Sequence, residues 1–389
     1  MSKLKFDMAV GTVLHGVTAA VLTIFLFVVL GWGLVLPVPA WAGVAVSDKL
    51  SLFGDFRMRY EVDDQDRGTT ADRDRDRARL RARFGFKHRT TDKISFGMRL
   101  ATEADSLQSP HQTFGVADSA TDNRDFGLDQ AYIDIKWGKS GFLWMGKHSV
   151  SFWEQNEQFW DGDIHPEGAG IGYKIGLGNG ASLLLQSTVA YLVDEGWGDN
   201  DGMFEDDFGT TAQMVYVRGG TTVAQGALFI ADQGDGNNIQ GGSATYYITS
   251  LQRKIETNTL PLKLGGDLLY SSGVQDVGTG SFVTGDSDDD LGYVVNASTK
   301  KGEWGFQFKH YHIPLNSVPL QGQVAQDNFP FSSNFTGQRY QVGYSFGDGV
   351  KADFRIYDQN MIVAPGNAQT YTQNVDGVTR VQANVNLKF

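Results

Sequence analysis

Beyond residue 50 the apolar residues recur at every second position, and no long stretch shows the 3.6-residue spacing of a helix. In LSLFGDFRMRYE, Leu52, Gly54, Phe56, Met58 and Tyr60 share one face, and Asp55, Arg57, Arg59 and Glu61 share the other. RARLRARFGFKHR sets Ala78, Leu80, Ala82, Phe84 and Phe86 against Arg77, Arg79, Arg81 and Arg83, and KISFGMRLATE sets Ile94, Phe96, Met98 and Leu100 against Ser95, Gly97, Arg99 and Glu103. Similar segments follow near 127–137, 142–148, 168–177, 181–193, 209–219, 222–231, 243–254, 261–271, 290–301, 303–312, 336–347, 349–359 and 378–389. The pattern predicts about sixteen strands of about ten residues, the length at which a tilted strand crosses the hydrocarbon layer.

The connectors alternate between short and long. Short ones such as RTTD (89–92), GKSG (138–141), GNG (178–180), GGT (219–221), KKGE (300–303) and GDG (347–349) carry tight-hairpin chemistry, with KIETNTLP (254–261) the least regular. Long ones cover roughly 61–76, 104–126, 149–167, 194–208, 232–242, 272–289, 313–335 and 360–377. All tight turns then fall on one rim and all long loops on the other. That is the layout of an all-β, closed up-and-down barrel of the outer-membrane kind. A soluble sandwich or propeller would neither sort its connectors by parity nor expose an apolar face on nearly every strand. The terminal VTRVQANVNLKF aligns Val381, Ala383, Val385, Leu387 and Phe389 on one face, which suits a last strand that zips against the first and abolishes the edges.

The amino terminus changes the picture once. Lys3 and Lys5 precede an apolar run from Val17 to Leu36, then Pro37, Pro39 and the small-residue pattern Ala40-Trp41-Ala42. This reads as a secretory signal peptide over 1–42, with the barrel in 43–389; an uncleaved anchor is the alternative. The full chain carries a formal −12, and losing Lys3, Lys5 and Asp7, a net +1, leaves −13, so nucleic acid is excluded as a general partner. There is no cysteine, which removes disulfides, thiolate metal sites and covalent haem attachment within this chain. With 48 glycines and 25 phenylalanines at a mean hydropathy of −0.27, one large soluble core is poorly supplied.

In so acidic a chain the arginine ladder demands a placement. A solvated helix would scatter Arg77, Arg79, Arg81 and Arg83 around its circumference, whereas the flanking segments alternate as strands. On a barrel strand the choice is lipid or lumen, and an arginine near the bilayer midplane costs on the order of 2–4 kcal/mol. Four of them would rival the whole stability of a domain, which puts the ladder in the lumen. With Arg57, Arg59 and Arg99 on adjacent strands it would form a basic wall, spaced closely enough for the fields to add. Alternatively the arginines pair with carboxylates such as Asp55, Glu61 and Glu103 and simply fill the interior.

GDFRMRYE (54–61), RARLRARFGF (77–86), RLATEADS (99–106), LDQAYIDIKW (128–137), MGKHSVSF (145–152) and FWDGDIHPEG (159–168), with the terminal Phe389, resemble the putative-porin family of Gram-negative outer membranes. The resemblance is dense in the first half of the mature chain and architectural in the second. It implies passive diffusion of small hydrophilic solutes or ions through a homotrimer in the outer membrane, in contact with lipid and lipopolysaccharide. It also implies insertion by the barrel-assembly machinery through a carboxy-terminal signal at Phe389. The loop after the fifth strand, SVSFWEQNEQFWDGDIHPEG, would fold inward as a constriction. Glu154, Glu157, Asp161 and Asp163 would face the arginines across the pore, and Lys147 would extend the basic side. The alternative is an external loop whose aromatics meet other subunits or lipopolysaccharide. The 104–126 loop is a second candidate constriction.

Other signals carry less. The acidic stretches 62–76, 205–207 and 285–290 suit divalent cations or plain solvation, and none has full calcium-loop spacing. His310 and His312 share a face, but neither G-x-S-x-G nor H-E-x-x-H occurs, so no enzyme and no cofactor is expected. Two alternatives to a general pore stand: a solute-specific anion channel with the ladder as a track, and a barrel that sheathes a multihaem cytochrome or an exported polymer.

Overall fold

The computed structural model describes residues 44–66, 73–102, 109–115, 125–156, 158–193, 207–231, 243–257, 259–273, 290–319, 324, 329–362 and 376–389. Sixteen long strands follow one another through them: β1 (Leu50–Asp66), β2 (Arg73–Arg89), β3 (Ile94–Thr102), β4 (Phe126–Trp137), β5 (Gly141–Lys147), β6 (Glu167–Gly178), β7 (Ala181–Val193) and β8 (Asp207–Arg218) form the first half. The second half is β9 (Thr221–Ala231), β10 (Ala244–Ile255), β11 (Leu262–Ser272), β12 (Leu291–Lys301), β13 (Trp304–Ile313), β14 (Phe335–Gly347), β15 (Val350–Met361) and β16 (Gly377–Lys388). Each pairs antiparallel with its sequence neighbours, and β16 pairs with β1, from Gly377 opposite Asp66 to Lys388 opposite Asp55. The sheet therefore has no edge, as the alternation predicts. Two-residue bridges at Val44–Ala45 and Gln112–Thr113 add to β1 and β2.

Closure ends on the last residue. Phe389 and Gly54 exchange both backbone hydrogen bonds at 3.1 Å. The Phe389 ring occupies the space beside Gly54, where a Cβ would meet it at 2.6 Å. Glycine at 54 is thus what lets the terminal aromatic lie flat against the first strand.

The connectors sort by parity as expected. On the tight rim Asn179 and Gly180 take φ of 48° and 72°, and Asp348 and Gly349 take 48° and 76°. Both central residues with positive φ is the hairpin geometry whose twist matches the flanking strands. Near this rim Trp137 lies 5.0 Å from Tyr173, and Trp304 lies 4.9 Å from Tyr344, as in an interfacial aromatic girdle.

The two faces separate as the sequence requires. Phe56, Phe84, Leu128, Val189, Leu251 and Val295 are exposed on the outside, while Arg59, Glu61, Asp63, Arg79 and Arg81 are buried on the inside. One expectation needs correction: β1 and β2 are 17 residues each, not about ten, and take up most of the connector placed at 61–76. The reason lies in the charges. Asp63 receives Arg75 and Arg380, and Glu61 receives Arg77, so the hairpin continues as an ion-paired ladder. Asp63 is therefore an interior anchor, not part of a solvated acidic loop; 205–206 and 285–289 lie outside the described residues.

Candidate functional site

The β5–β6 connection, 148–166, folds into the barrel and is tied to both sides of it. Toward β8, Trp153 N–H donates to Gln213 Oε1 and Gln213 Nε2 donates back to the Trp153 carbonyl, both at 2.6 Å. Toward β11, Gln155 donates to the Gly266 carbonyl at 2.7 Å and to Asp267 at 2.9 Å, and Asn156 donates to the other oxygen of Asp267. Toward β2, Asp163 receives Arg81 at 2.8 Å and Arg83 at 2.5 Å. Toward β4, His165 Nδ1 lies 2.9 Å from Asp129, which also receives Arg99. At the base of the loop the His148 ring stacks on Tyr132 at 3.7 Å, and burial pushes its pKa down to about 4. The neutral ring accepts Ser149 N–H at 2.6 Å.

The aromatics of this loop seat in an apolar half of the lumen. Phe159 and Trp160 are buried among Leu228, Ile230, Tyr246, Ile248, Leu269 and Val294, inward-facing residues of β9 to β12. A second inward segment completes the packing. From the β13–β14 connection, Val318, Val324 and Phe329 join the same cluster, and Asp161 N–H donates to the Val324 carbonyl at 2.6 Å. Burying two large aromatics is worth roughly 1.5–3 kcal/mol each, enough to hold the loop in place together with its polar ties. The interior is thus divided into a packed side, where the loop aromatics lie against the barrel wall, and a charged side.

The arginine ladder divides as well. Arg77 is engaged by Glu61, and Arg79 donates to Ser109 Oγ at 3.0 Å and to the His111 carbonyl at 3.3 Å, so part of the 104–126 loop also folds in. Arg59 donates to Asn384 at 2.7 Å within the same buried network. Arg81 and Arg83 turn to the open part of the lumen, yet each is shared between Asp55 and Asp163. The pairing with Asp55 and Glu61 weighed from the sequence is what holds; Glu103 lies outside the described residues.

Beside Asp163 the charged side opens into a cavity of about 430 Å³. Arg57, Arg81, Arg83, Arg99, Arg339, Arg355 and Lys309 line it, with Asp161, Asp163 and His165. By strand order these cations belong to adjacent walls running from β13 through β16 to β3. Lys309, Arg339 and Arg355 were missed at the sequence level. The signal was present as single cations at inward positions of FQFKHYH, GQRYQ and ADFRIYD, each too isolated to stand out.

Several expected members fall elsewhere. Lys147 lies across from Ala131 and Glu167, on the face that carries exposed Met145, because strand alternation turns it away from the arginines. Glu154 accepts Trp160 N–H at 3.3 Å and Asp161 accepts Asp163 N–H at 2.8 Å, so both serve the fold of the loop. Glu157 lies outside the described residues. Asp163 closes directly onto the arginines instead of standing across a gap from them. His310 and His312 sit beside outward-facing Tyr293, at ring distances of 6.0 and 5.3 Å, on the opposite face from the lumen.

The family described as "Putative porin" matches residues 64–194, a stretch that holds the ladder, β3 to β7 and the inward loop. No curated protein matches the chain. Among solved structures it is similar to OprB of Pseudomonas putida at high pH, at 10% identity and a TM-score of 0.57, over 88% of this chain and 94% of that one. It is also similar to OmpF of Salmonella typhi in complex with daunomycin, at 11% identity and a TM-score of 0.55, over 89% and 100%. At such identities the likeness is one of fold. The family match over 64–194 and the two likenesses of fold agree with the edgeless barrel and its loop-narrowed lumen, which is porin-like in architecture.

Proposed function

We propose that this protein is an outer-membrane porin that lets small hydrophilic solutes diffuse down their gradients, with a bias toward anions. One observation carries the reading: within a closed barrel whose outside is apolar, a cavity on the charged side of the interior is lined by six arginines and Lys309, with Asp161, Asp163 and His165. Low-dielectric walls concentrate such a field, and it raises the local concentration of anions over cations. The inward loop sets the size limit. A partner-sheathing barrel is disfavoured, because side chains of this chain's own loops occupy the room a partner would need.

Residues 1–42, outside the described residues, act as a signal removed after Ala42; the first residue of the protein recovered from outer membranes, Gly43 if so, checks this. The barrel functions as a homotrimer embedded among lipopolysaccharide, inserted through its Phe389 strand. Liposomes carrying the purified protein and placed in neutral sugars of graded size test the channel. Swelling for the smallest sugars, falling steeply with size, is expected; swelling no faster than protein-free liposomes would overturn it.

A further inference from the structure

The seven cations of the cavity are not equivalent. Arg81 and Arg83 share Asp55 and Asp163, Arg99 is held by Asp129, and Arg355 donates to Asp353 at 2.5 Å. Arg57 and Arg339 differ, because their side-chain partners are neutral amides. Arg57 donates to Asn386 at 2.5 Å and lies within the fields of Arg59, Arg81 and Arg355, with Asp163 and Asp353 acting on it only from beyond ion-pair distance. Arg339 donates to Gln307, and its guanidinium lies 6.0 Å from the centre of the Tyr357 ring. Arg339 is 5% exposed, and its buried Nε has no hydrogen-bond partner among the described residues.

Amide and aromatic partners fix the direction of a guanidinium without cancelling its charge. Two such guanidinia beside one cavity leave positive charge that no carboxylate among the described residues pairs with directly. The planar fork of arginine matches two oxygens of one anion. We propose that Arg57 and Arg339, supported by Arg355, Lys309 and the Gln341 amide, form an oxyanion-binding subsite that takes a carboxylate or phosphate group on its way through the channel.

The subsite rests on the channel reading and moves the discriminating step away from the ladder. Arg81 and Arg83 would act mainly as the wall to which the loop is fastened. The cavity is large enough for a small dicarboxylate or inorganic phosphate with several waters, each of which takes about 30 Å³.

The test uses the intact barrel in planar bilayers, with chloride current recorded while inorganic phosphate, and separately succinate, is added. The current should fall along a saturating curve for at least one of the two, and which one does so distinguishes phosphate from carboxylate preference. Arg57→Gln and Arg339→Gln should each raise the half-blocking concentration about tenfold, the loss expected for one charge-assisted contact. Arg339→Lys, which keeps the charge and loses the fork, should recover only part of the affinity. Heat-resistant migration on gels confirms that each variant closes its barrel; should Arg57→Gln fail to close, Arg57→Lys takes its place. A chloride current with no saturable effect of either anion, or half-block unchanged in the Arg339 variants, would overturn the subsite and leave the channel standing. Absence of any current would remove the channel, and the subsite with it.

Discussion

Arg83 and Asp163 are 80 residues apart in sequence and 2.5 Å apart in space. The same carboxylate takes Arg81 at 2.8 Å, so one side chain of the inward loop closes two rungs of the ladder. This contact both fastens the loop to β2 and cancels much of the charge that the ladder would otherwise present to the lumen. Fastening and charge can be separated by experiment.

Asp163→Asn keeps the shape and removes the charge. The two guanidinia keep only Asp55, so the reversal potential in a potassium chloride gradient should move further toward that of chloride, and flicker from a looser loop should appear in single-channel records. An unchanged reversal potential would mean that Asp163 does not border the conducting path.

The divided lumen predicts which positions are wet. The chain has no cysteine, so single introduced thiols report without background. Arg83→Cys and Arg355→Cys should react with water-soluble thiol reagents and alter the current, whereas Ile248→Cys and Leu269→Cys, within the packed cluster, should not react in the folded barrel. Equal reaction at all four would argue for an open, undivided interior.

Gly54→Val tests closure. Its side chain would run into the Phe389 ring and into the Arg83 carbonyl, which stands 2.5 Å from an ideal Cβ. The gel-shift unfolding temperature should drop, and less barrel should reach the membrane. Phe389→Ala in the same background should restore part of the loss, since it removes the obstructing ring.

Asp63 is buried and receives both Arg75 and Arg380. Removing one member of a buried ionic cluster leaves unpaired charge and costs about 3–5 kcal/mol. Asp63→Ala should lower the midpoint of urea unfolding accordingly, while Asp63→Asn should lose less because the amide oxygen still accepts. Equal midpoints for wild type and Asp63→Ala would show that the Asp63 ion cluster contributes nothing to stability.

Strand alternation is a local property, which is why the sixteen strands and the parity of their connectors could be read from LSLFGDFRMRYE onward. The inward side of Arg81 follows from the same rule, because lipid on one face leaves one other place for charge. Partner choice is not local. That Arg79 goes to Ser109 while Arg83 goes to Asp163 depends on where two long loops turn back, and loop sequences carry no period to reveal it. The apolar half was hidden for a related reason: Tyr246, Ile248 and Leu269 read as ordinary strand residues until Phe159 and Trp160 are placed on them. Lys147 carries a charge like the arginines but has the parity of Met145, and parity decides its face. Lys309, Arg339 and Arg355 were overlooked because each stands alone on its strand and gathers only when the barrel closes.

Anion-biased diffusion requires a water-filled lumen whose net lining is cationic. The reversal potential of reconstituted protein across a tenfold potassium chloride gradient addresses it most directly. A potential displaced toward the chloride equilibrium value, and shifted back when Arg57 and Arg339 are both changed to Gln, is the predicted result. A potential on the potassium side, or one indifferent to those two residues, would contradict it.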